Sequence, residues 1–414
     1  MGFFNKIFRG DRSIWIVFML LCLVSLVEVY SATSTLAFKN TNYFAPIVKH
    51  AQFLLAGFCL ALLIHNFPSK YFSVAILLLP VSIGLLLLTM FSKFGVNVNE
   101  ATRFISFMGV QFQPSEFGKL ACIVFVAFML SKQKQFSPDI TFWIIIAGVG
   151  ITCGLILPDN FSTAALLFIV CYLLMIVGQA PIKKMILLFI ILFLSGGLFV
   201  SALHYVPREY AKEHLLDRFV TWQGRWDDFA NDKSDGNKYA INGDNFQVNH
   251  AKIAIARGGI FGKLPGRSVQ RDYLPQAYSD FIYAIIIEEL GLVIGGIGVL
   301  LLYVILMFRV AIIARRCEKL FPKYLALGCG LLIVIQAFIN MAVAVNLIPV
   351  TGQPLPLISR GGTSTMLTCI YFGIILSVSR FSAGMDETVE KDDEDFESET
   401  IETVAVENQA TEKN

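Results

Sequence analysis

Apolar residues gather into long runs separated by short polar breaks, and that pattern predicts the architecture. A transmembrane helix needs about 20 mostly apolar residues. Ten stretches qualify, near 13–31, 47–65, 71–91, 115–131, 140–157, 162–179, 184–205, 279–307, 323–347 and 361–382. The fifth and sixth are short and split by Pro158, Asp159 and Asn160, so a hairpin that barely crosses is the alternative there. The fold class expected is an all-α polytopic membrane protein. It has about ten transmembrane helices, one long extracytoplasmic loop with short helices, and a disordered acidic C-terminal tail.

Lysine and arginine in short loops set the expected orientation. With residues 1–12 inside, the inner loops hold Lys70, Lys132, Lys134, Lys183 and Lys184, then Arg309, Arg315, Arg316, Lys319 and Lys323. The opposite loops are poorer: Lys39, Lys49, Lys93, Arg103 and Arg360. Both termini are therefore expected in the cytoplasm, with 13–382 as the membrane domain. The run 13–31 follows Lys6, Arg9 and Arg12 without a clear small-residue cleavage site, so it is expected to stay as the first span. The loop 206–278 lies outside. Within it Phe219, Trp222, Trp226 and Phe229 recur at helical spacing among Arg and Asp. That suits a helix lying at the interface or one packed on the loop's own core. The tail 383–414 is acidic with no hydrophobic period, as in disordered segments.

Composition agrees. The chain is 56% hydrophobic and 15% charged, where soluble domains carry about 25% charged residues. A net charge of +2 excludes a strongly basic nucleic-acid binder. Eight cysteines lie mostly in apolar runs with no CxxC pair, which argues against disulfide or zinc frameworks and for small buried hydrophobes.

Four clusters can carry chemistry. In the first, residues 271–290 close the outer loop and enter an apolar helix with Asp280 at its mouth and Glu288 and Glu289 inside. Ionisable groups at membrane depth are costly, and by default mark function. Asp280 is either a helix N-terminal carboxylate favoured by the dipole or a general base at the outer face. On a continuous helix Glu288 points near the same side as Asp280, about 12 Å deeper. Glu289 points nearly opposite, and one of the pair is expected to brace a neighbouring helix. The second cluster joins Arg103 to Gln113, Pro114, Ser115, Glu116 and Lys119. Pro114 suits a first helical turn, and Glu116 and Lys119 are three apart on one face. They form either a structural ion pair or, with Arg103, a cationic site for an anion such as a diphosphate.

The third cluster is Gln247, Lys252, Arg257, Gly258, Gly259, Gly266, Arg267 and Ser268, which suits a phosphate or sugar as well as ordinary turns. The fourth runs from Pro349 to Ser364, with three prolines and three glycines inside Pro349–Gly362. Such irregular backbone survives near a membrane only where protein buries it or it lines a wet cavity. Gln336 and Asn340 on the preceding span either glue helices or line that cavity. No nucleotide-binding glycine loop is present.

Together these pieces resemble the SEDS (shape, elongation, division and sporulation) family of membrane proteins, FtsW and RodA, over nearly all of 13–382. The resemblance rests on Val29, Tyr30, Ser31 and Ala32 ending the first span, and on Gln113, Pro114, Ser115, Glu116 and Lys119. It rests also on Pro158 and Asp159 with Ser162 and Thr163, and on Leu274, Pro275, Ser279, Asp280 and Phe281. Glu288, Glu289, Leu290 and Gly291 follow, then Leu355 to Ser364. Departures are Phe104 for the family's Trp, Arg360 for its Tyr before the late glycine pair, and Asn160-to-Thr163 for its usual continuation of the Pro-Asp motif. Arg360 alone changes side-chain character.

The resemblance implies an inverting peptidoglycan glycosyltransferase that polymerises lipid II at the outer face of the bacterial cytoplasmic membrane. Asp280 would be the catalytic base. Arg103 and Lys119 would hold the diphosphate, with Glu116 fixing Lys119. Asp159, Lys252 and Glu288 are further cavity candidates. A divalent cation, Mg or Mn, would be one way to assist the leaving group, although the sequence shows no dedicated metal cage. The implied partners are lipid II, the undecaprenyl-diphosphate-linked glycan, a class B penicillin-binding transpeptidase and other division-complex membrane proteins. Arg218, Arg225, Trp226 and Phe229, with Gly266 to Ser268 and Arg271 to Pro275, look more like the division-type member, at the septum, than the elongation type. The competing classes are a transporter, including a lipid II flippase, and a scaffold. The halves show no inverted repeat and the key carboxylate lies at the outer mouth, which favours the enzyme.

Overall fold

The computed structural model describes residues 8–33, 44–91, 95–98, 101–107, 110–206, 217–234, 246–274 and 277–380. Among them nine helices are long and apolar enough to cross a membrane, and a tenth of 17 residues lies between two of these. They are α1 (Arg12–Ala32), α2 (Ala45–Asn66), α3 (Tyr71–Thr89), α4 (Pro114–Ser131), α5 (Pro138–Ile156), α6 (Phe161–Val177), α7 (Ile182–Tyr205), α10 (Ile282–Arg316), α11 (Leu320–Ala344) and α12 (Thr363–Arg380). Two helices, α8 (Asp217–Ser234) and α9 (Phe246–Gly258), lie in the long loop. The expected spans thus recur in order. The tail 383–414 falls outside the described residues.

Capping residues start these helices. Asp11 accepts from the backbone of Ser13 at 2.8 Å and Ile14 at 3.2 Å, and its carboxylate also receives Arg309 Nε at 3.0 Å, fastening α1 to the far end of α10. Asn160 accepts from Thr163 N at 3.2 Å, so the Pro158–Asn160 break is a tight turn between two separate helices. A side-chain oxygen at this position satisfies an otherwise orphaned N–H.

α4, α11 and α12 form the centre of the bundle. α7 is only 6% buried in the protein, so its apolar surface faces outward. Its loop end is held by α8: Trp222 lies 5.7 Å from Phe199 and 5.5 Å from Phe161, and Gln223 Nε2 donates to Leu203 O at 3.0 Å. Phe219 and Trp222 of the aromatic stripe therefore pack on α6 and α7, while Trp226 and Phe229 lie against each other.

One feature has no counterpart in the sequence reading. Between α3 and α4 the chain forms a three-stranded antiparallel sheet: β1 (Gly95–Val98), β2 (Ala101–Phe107) and β3 (Val110–Phe112). Ile105 pairs with Phe112 and Phe104 with Val96. Arg103 sits on β2, and its side chain lies outside the described residues.

α10 is not one continuous helix. It breaks at Gly291, where φ is 80°, and continues through a π-helical stretch, Leu292–Gly298. The loop after α9 fills the break. Lys263 N and Leu264 N donate to Glu288 O and Glu289 O at 2.9 and 2.8 Å, while Leu292 N donates to Gly259 O at 2.9 Å. Backbone groups freed by the break are thus paired inside the protein, as an apolar surrounding demands. The approach is close enough to require glycine. A Cβ on Gly258 would stand 2.1 Å from Ile287 O. Gly258→Ala is therefore expected to lower stability by about 1–3 kcal/mol, the usual cost of overpacking. Thermal unfolding of the purified protein in detergent measures it; an unchanged midpoint would mean that α9 does not pack this way.

Candidate functional site

The ends of α1, α4, α10, α11 and α12 meet at the end of the bundle that carries the long loop. The segment 349–362 threads between them, with Gly352 at φ 69° and Leu357 at φ 68°. Left-handed backbone costs a leucine about 1–2 kcal/mol, and the surrounding hydrogen bonds over-determine it. Tyr303 donates to Pro356 O at 2.6 Å, Gln336 Nε2 to Pro354 O at 3.0 Å, and Gln353 Nε2 to Thr163 Oγ1 at 2.8 Å. The amides of Gln336 and Asn340 thus both glue helices and support this loop.

Asp280 is held against it. Asn340 Nδ2 donates to Asp280 O at 2.9 Å and to Gln353 O at 2.8 Å. Ser359 Oγ donates to Ser279 O at 2.7 Å and Arg360 N to Tyr278 O at 3.0 Å. The backbone ahead of the glycine pair thus pairs with the residues before α10 with Arg360 in place of the family's Tyr. The Asp280 side chain is partly exposed. It accepts from Ser279 Oγ at 2.9 Å, and the Cβ position of Gly352 lies 3.7 Å from its other oxygen. α10 begins at Ile282 with Phe281 at its N-cap and no side-chain cap bond. Asp280 precedes the cap by one residue, at the N-terminal end of α10.

Glu116 and Lys119 do form an ion pair, at 2.7 Å, with Lys119 fully buried. Lys119 Nζ also donates to Gln336 Oε1 at 3.0 Å, and Ser364 Oγ donates to Glu116 Oε2 at 3.3 Å. The pair joins α4 to α11 and α12. Its geometry is that of a brace.

Glu288 and Glu289 are both fully buried. Glu288 accepts from Ser268 Oγ, from Val269 N at 3.3 Å and from Gln270 N at 3.2 Å, with Arg257 Nε 3.7 Å away. Glu289 accepts from Ser31 Oγ, from Gly266 N at 2.9 Å and from Ser268 N at 3.2 Å, with an Arg271 nitrogen at 3.9 Å. Both therefore clamp the loop 266–271, and Glu289 also braces a neighbouring helix as expected of one of the pair, through Ser31 on α1. Glu288 does not share a helical face with Asp280, because Asp280 lies ahead of the helix. Arg257, Gly266 and Ser268 of the third cluster are correspondingly part of this clamp. Residue type alone does not mark Arg271 as a partner here; its signal is the Tyr30-Ser31 motif, since Arg271 Nη1 donates to Ser31 Oγ at 2.7 Å.

Asp159 is partly exposed and lines a narrow cleft with Thr89, Gln113, Ser115 and Asn160, at the same end of the bundle. Lys252 lies on α9, partly buried. The structure thus gathers Asp280, Glu116, Lys119 and Glu288 around α10 and α11, and sets Asp159 in a separate cleft. Among the described residues no three His, Cys, Asp or Glu side chains converge.

Fold and site define a polytopic helical membrane protein whose loop-bearing end is organised around a buried charged brace and a partly exposed aspartate. The chain belongs to the FtsW/RodA/SpoVE family of cell cycle proteins, whose model matches residues 11–384. It is 33% identical to the probable peptidoglycan glycosyltransferase FtsW of Bacillus subtilis, covering 90% of this chain and 91% of that one. It is 30% identical to the protein of the same name from Nitrosococcus halophilus, covering 86% and 89%. Stage V sporulation protein E of Bacillus subtilis is 32% identical over 90% of this chain and 97% of its own. Among solved structures, the fold is shared with the rod shape determining protein RodA of Thermus thermophilus, at TM-score 0.60 and 22% identity over 90% of this chain and 97% of that one. It is shared also with a chain from a peptidoglycan synthase complex that polymerises and crosslinks, at TM-score 0.65 and 21% identity over 90% and 98%.

Proposed function

We propose that this protein is a peptidoglycan glycosyltransferase of septal wall synthesis, polymerising lipid II at the outer face of the bacterial inner membrane. The observation that carries the reading is Asp280: a partly exposed carboxylate fixed through its backbone by Asn340 and through its neighbours by Ser359 and Arg360. Preorganisation of this kind suits a general base. Asp280 takes the proton of the acceptor sugar's 4-hydroxyl. The freed oxygen forms a bond to the anomeric carbon of the lipid-linked donor. The bond from that carbon to the diphosphate oxygen breaks, and undecaprenyl diphosphate leaves with the electron pair. Attack opposite the leaving group inverts the centre and gives a β-1,4 linkage.

The roles of the other candidates follow their burial. Glu116 and Lys119 brace the floor of the site, Glu288 holds the loop that roofs it, and Asp159, Lys252 and Arg103 remain groups for the sugar or diphosphate. The partner is a class B penicillin-binding transpeptidase, whose single membrane helix docks on the outside of the bundle; the likeness to a chain of a synthase complex and the FtsW names of the relatives support this. The test is purified full-length protein, with and without its transpeptidase, given labelled lipid II and scored for glycan polymer. Absence of polymer under both conditions would refute the reading.

Orientation has its own test. The lysine and arginine bias puts the loop-bearing end outside and both termini in the cytoplasm. Single cysteines introduced in α8 and α9 are expected to react with an impermeant thiol reagent on intact cells, and those at 317–320 to be protected. Outside labelling at 317–320 would overturn the ten-span orientation.

A further inference from the structure

Most cations near Asp280 are already committed. Lys119 is buried on Glu116 and Gln336, Arg271 bonds Ser31 beside Glu289, and Arg257 faces Glu288. Arg360 is different. It is partly exposed, its guanidinium lies 5.5 Å over the ring of Tyr278, and it makes no hydrogen bond or ion pair through that group among the described residues. Its position is fixed all the same, because its own N–H bonds Tyr278 O at 3.0 Å and the preceding Ser359 bonds Ser279 O at 2.7 Å. Asp280 therefore stands two residues from the carbonyl that anchors Arg360.

Arg360 also sits at the start of α12, an 18-residue helix. The first-turn N–H groups of a helix carry partial positive charge, and here Ser364 N also bonds Gly361 O at 3.1 Å and Met366 N bonds Gly362 O at 3.4 Å. The approach to them is open: at Gly362, with φ 54°, a Cβ would meet nothing within 4 Å. A further polar group of this turn has no partner. Thr365 is 2% exposed, its Oγ1 bonds nothing among the described residues, and that atom lies 3.5 Å from the Cβ position of Gly361. Glu116, whose Oε2 accepts from Ser364 Oγ of this turn at 3.3 Å, is neutralised by Lys119. A guanidinium, a helix N-terminus and an unpartnered hydroxyl together favour an anion with several oxygens.

We propose that Arg360 and the first turn of α12 bind the diphosphate of the polyprenyl-linked donor, across the reacting carbon from Asp280. This rests on the glycosyltransferase reading above. It assigns the leaving group a cation that the buried Lys119 cannot supply.

The experiment measures binding of undecaprenyl diphosphate to the full-length protein in detergent, with undecaprenyl monophosphate, inorganic pyrophosphate and phosphatidylglycerol as separate arms. Polymerisation of lipid II is followed alongside. Arg360→Gln is expected to weaken undecaprenyl diphosphate binding about 10–100-fold, the worth of a hydrogen bond to a charged group. It should raise KM for lipid II more than it lowers kcat, and leave the thermal midpoint unchanged. Arg360→Lys should recover part of the affinity, and Thr365→Val should lose a smaller part. Equal losses for phosphatidylglycerol would identify a general headgroup site and overturn the assignment. Wild type that polymerises lipid II, with Arg360→Gln and Thr365→Val indistinguishable from it, would overturn this site alone. Wild type that binds undecaprenyl diphosphate through Arg360 but forms no polymer would uphold the site and refute the glycosyltransferase reading.

Discussion

Asp280→Asn is expected to give a folded, membrane-inserted protein that binds its partner and makes no detectable glycan from lipid II. Asparagine keeps the size of the side chain and can still meet Ser279 Oγ, which now donates at 2.9 Å. The bonds from Asn340 to Asp280 O and from Ser359 to Ser279 O involve backbone oxygens, so they survive the change. What is lost is the ability to accept a proton at working pH. Removal of a general base typically costs about 10²–10⁴-fold in rate. A capping role would leave the substitution nearly silent, because Asn caps as well as Asp, and the N-cap here is Phe281. The measurement is the initial rate of polymer formation from labelled lipid II, with the thermal midpoint as control. Near-normal polymerisation by Asp280→Asn would move the chemistry elsewhere and make a transporter the leading alternative.

The second large effect is on stability. Lys119 is fully buried, with Glu116 at 2.7 Å and Gln336 at 3.0 Å as its partners. Lys119→Ala would leave the Glu116 carboxylate buried with Ser364 as its remaining partner, and Glu116→Ala would leave the ammonium with only an amide. Breaking a buried pair by removing one partner costs about 3–5 kcal/mol, chiefly from the uncompensated charge. Each single variant is expected to show low yield and a depressed thermal midpoint in detergent. The exchange Glu116→Lys with Lys119→Glu should recover part of the loss. Recovery is incomplete because Gln336 would have to turn its Nε2 toward the new carboxylate, and that nitrogen now serves Pro354 O at 3.0 Å. Alanine variants that keep full stability but fail to bind lipid II would show the pair to be a binding element and end the bracing account.

Features set by local physics are legible in the sequence. Glu116 and Lys119 could be paired on paper because three residues along a helix bring side chains to one face. The same local rule misled at Asp280 and Glu288. It assumed a helix running through both, and the helix starts at Ile282. The two glutamates looked like costly charges awaiting a partner helix. Glu289 does reach a helix, through Ser31 on α1, but most partners of the pair are backbone N–H groups of Gly266, Ser268, Val269 and Gln270, which no periodicity points to. Glycine pairs at 258–259 and 361–362 suited turns equally well. Only the packed chain distinguishes Gly258, pressed against Ile287 O, from Gly362, which has open space before it.

By itself the sequence determined the membrane class, the order and near-limits of ten helices, and the polar clusters at one end. Those follow from hydrocarbon thickness and from the cost of unpaired backbone in an apolar medium. Both act on runs of consecutive residues, so both are written in runs. Tertiary structure alone decided the break of α10 at Gly291, the sealing of Lys119, and the exposure of Arg360 beside Asp280. Each depends on which distant segment arrives to accept or donate a hydrogen bond. A buried polar group is stable with any well-placed partner, so residue type shows that a partner is needed, and the fold selects which one.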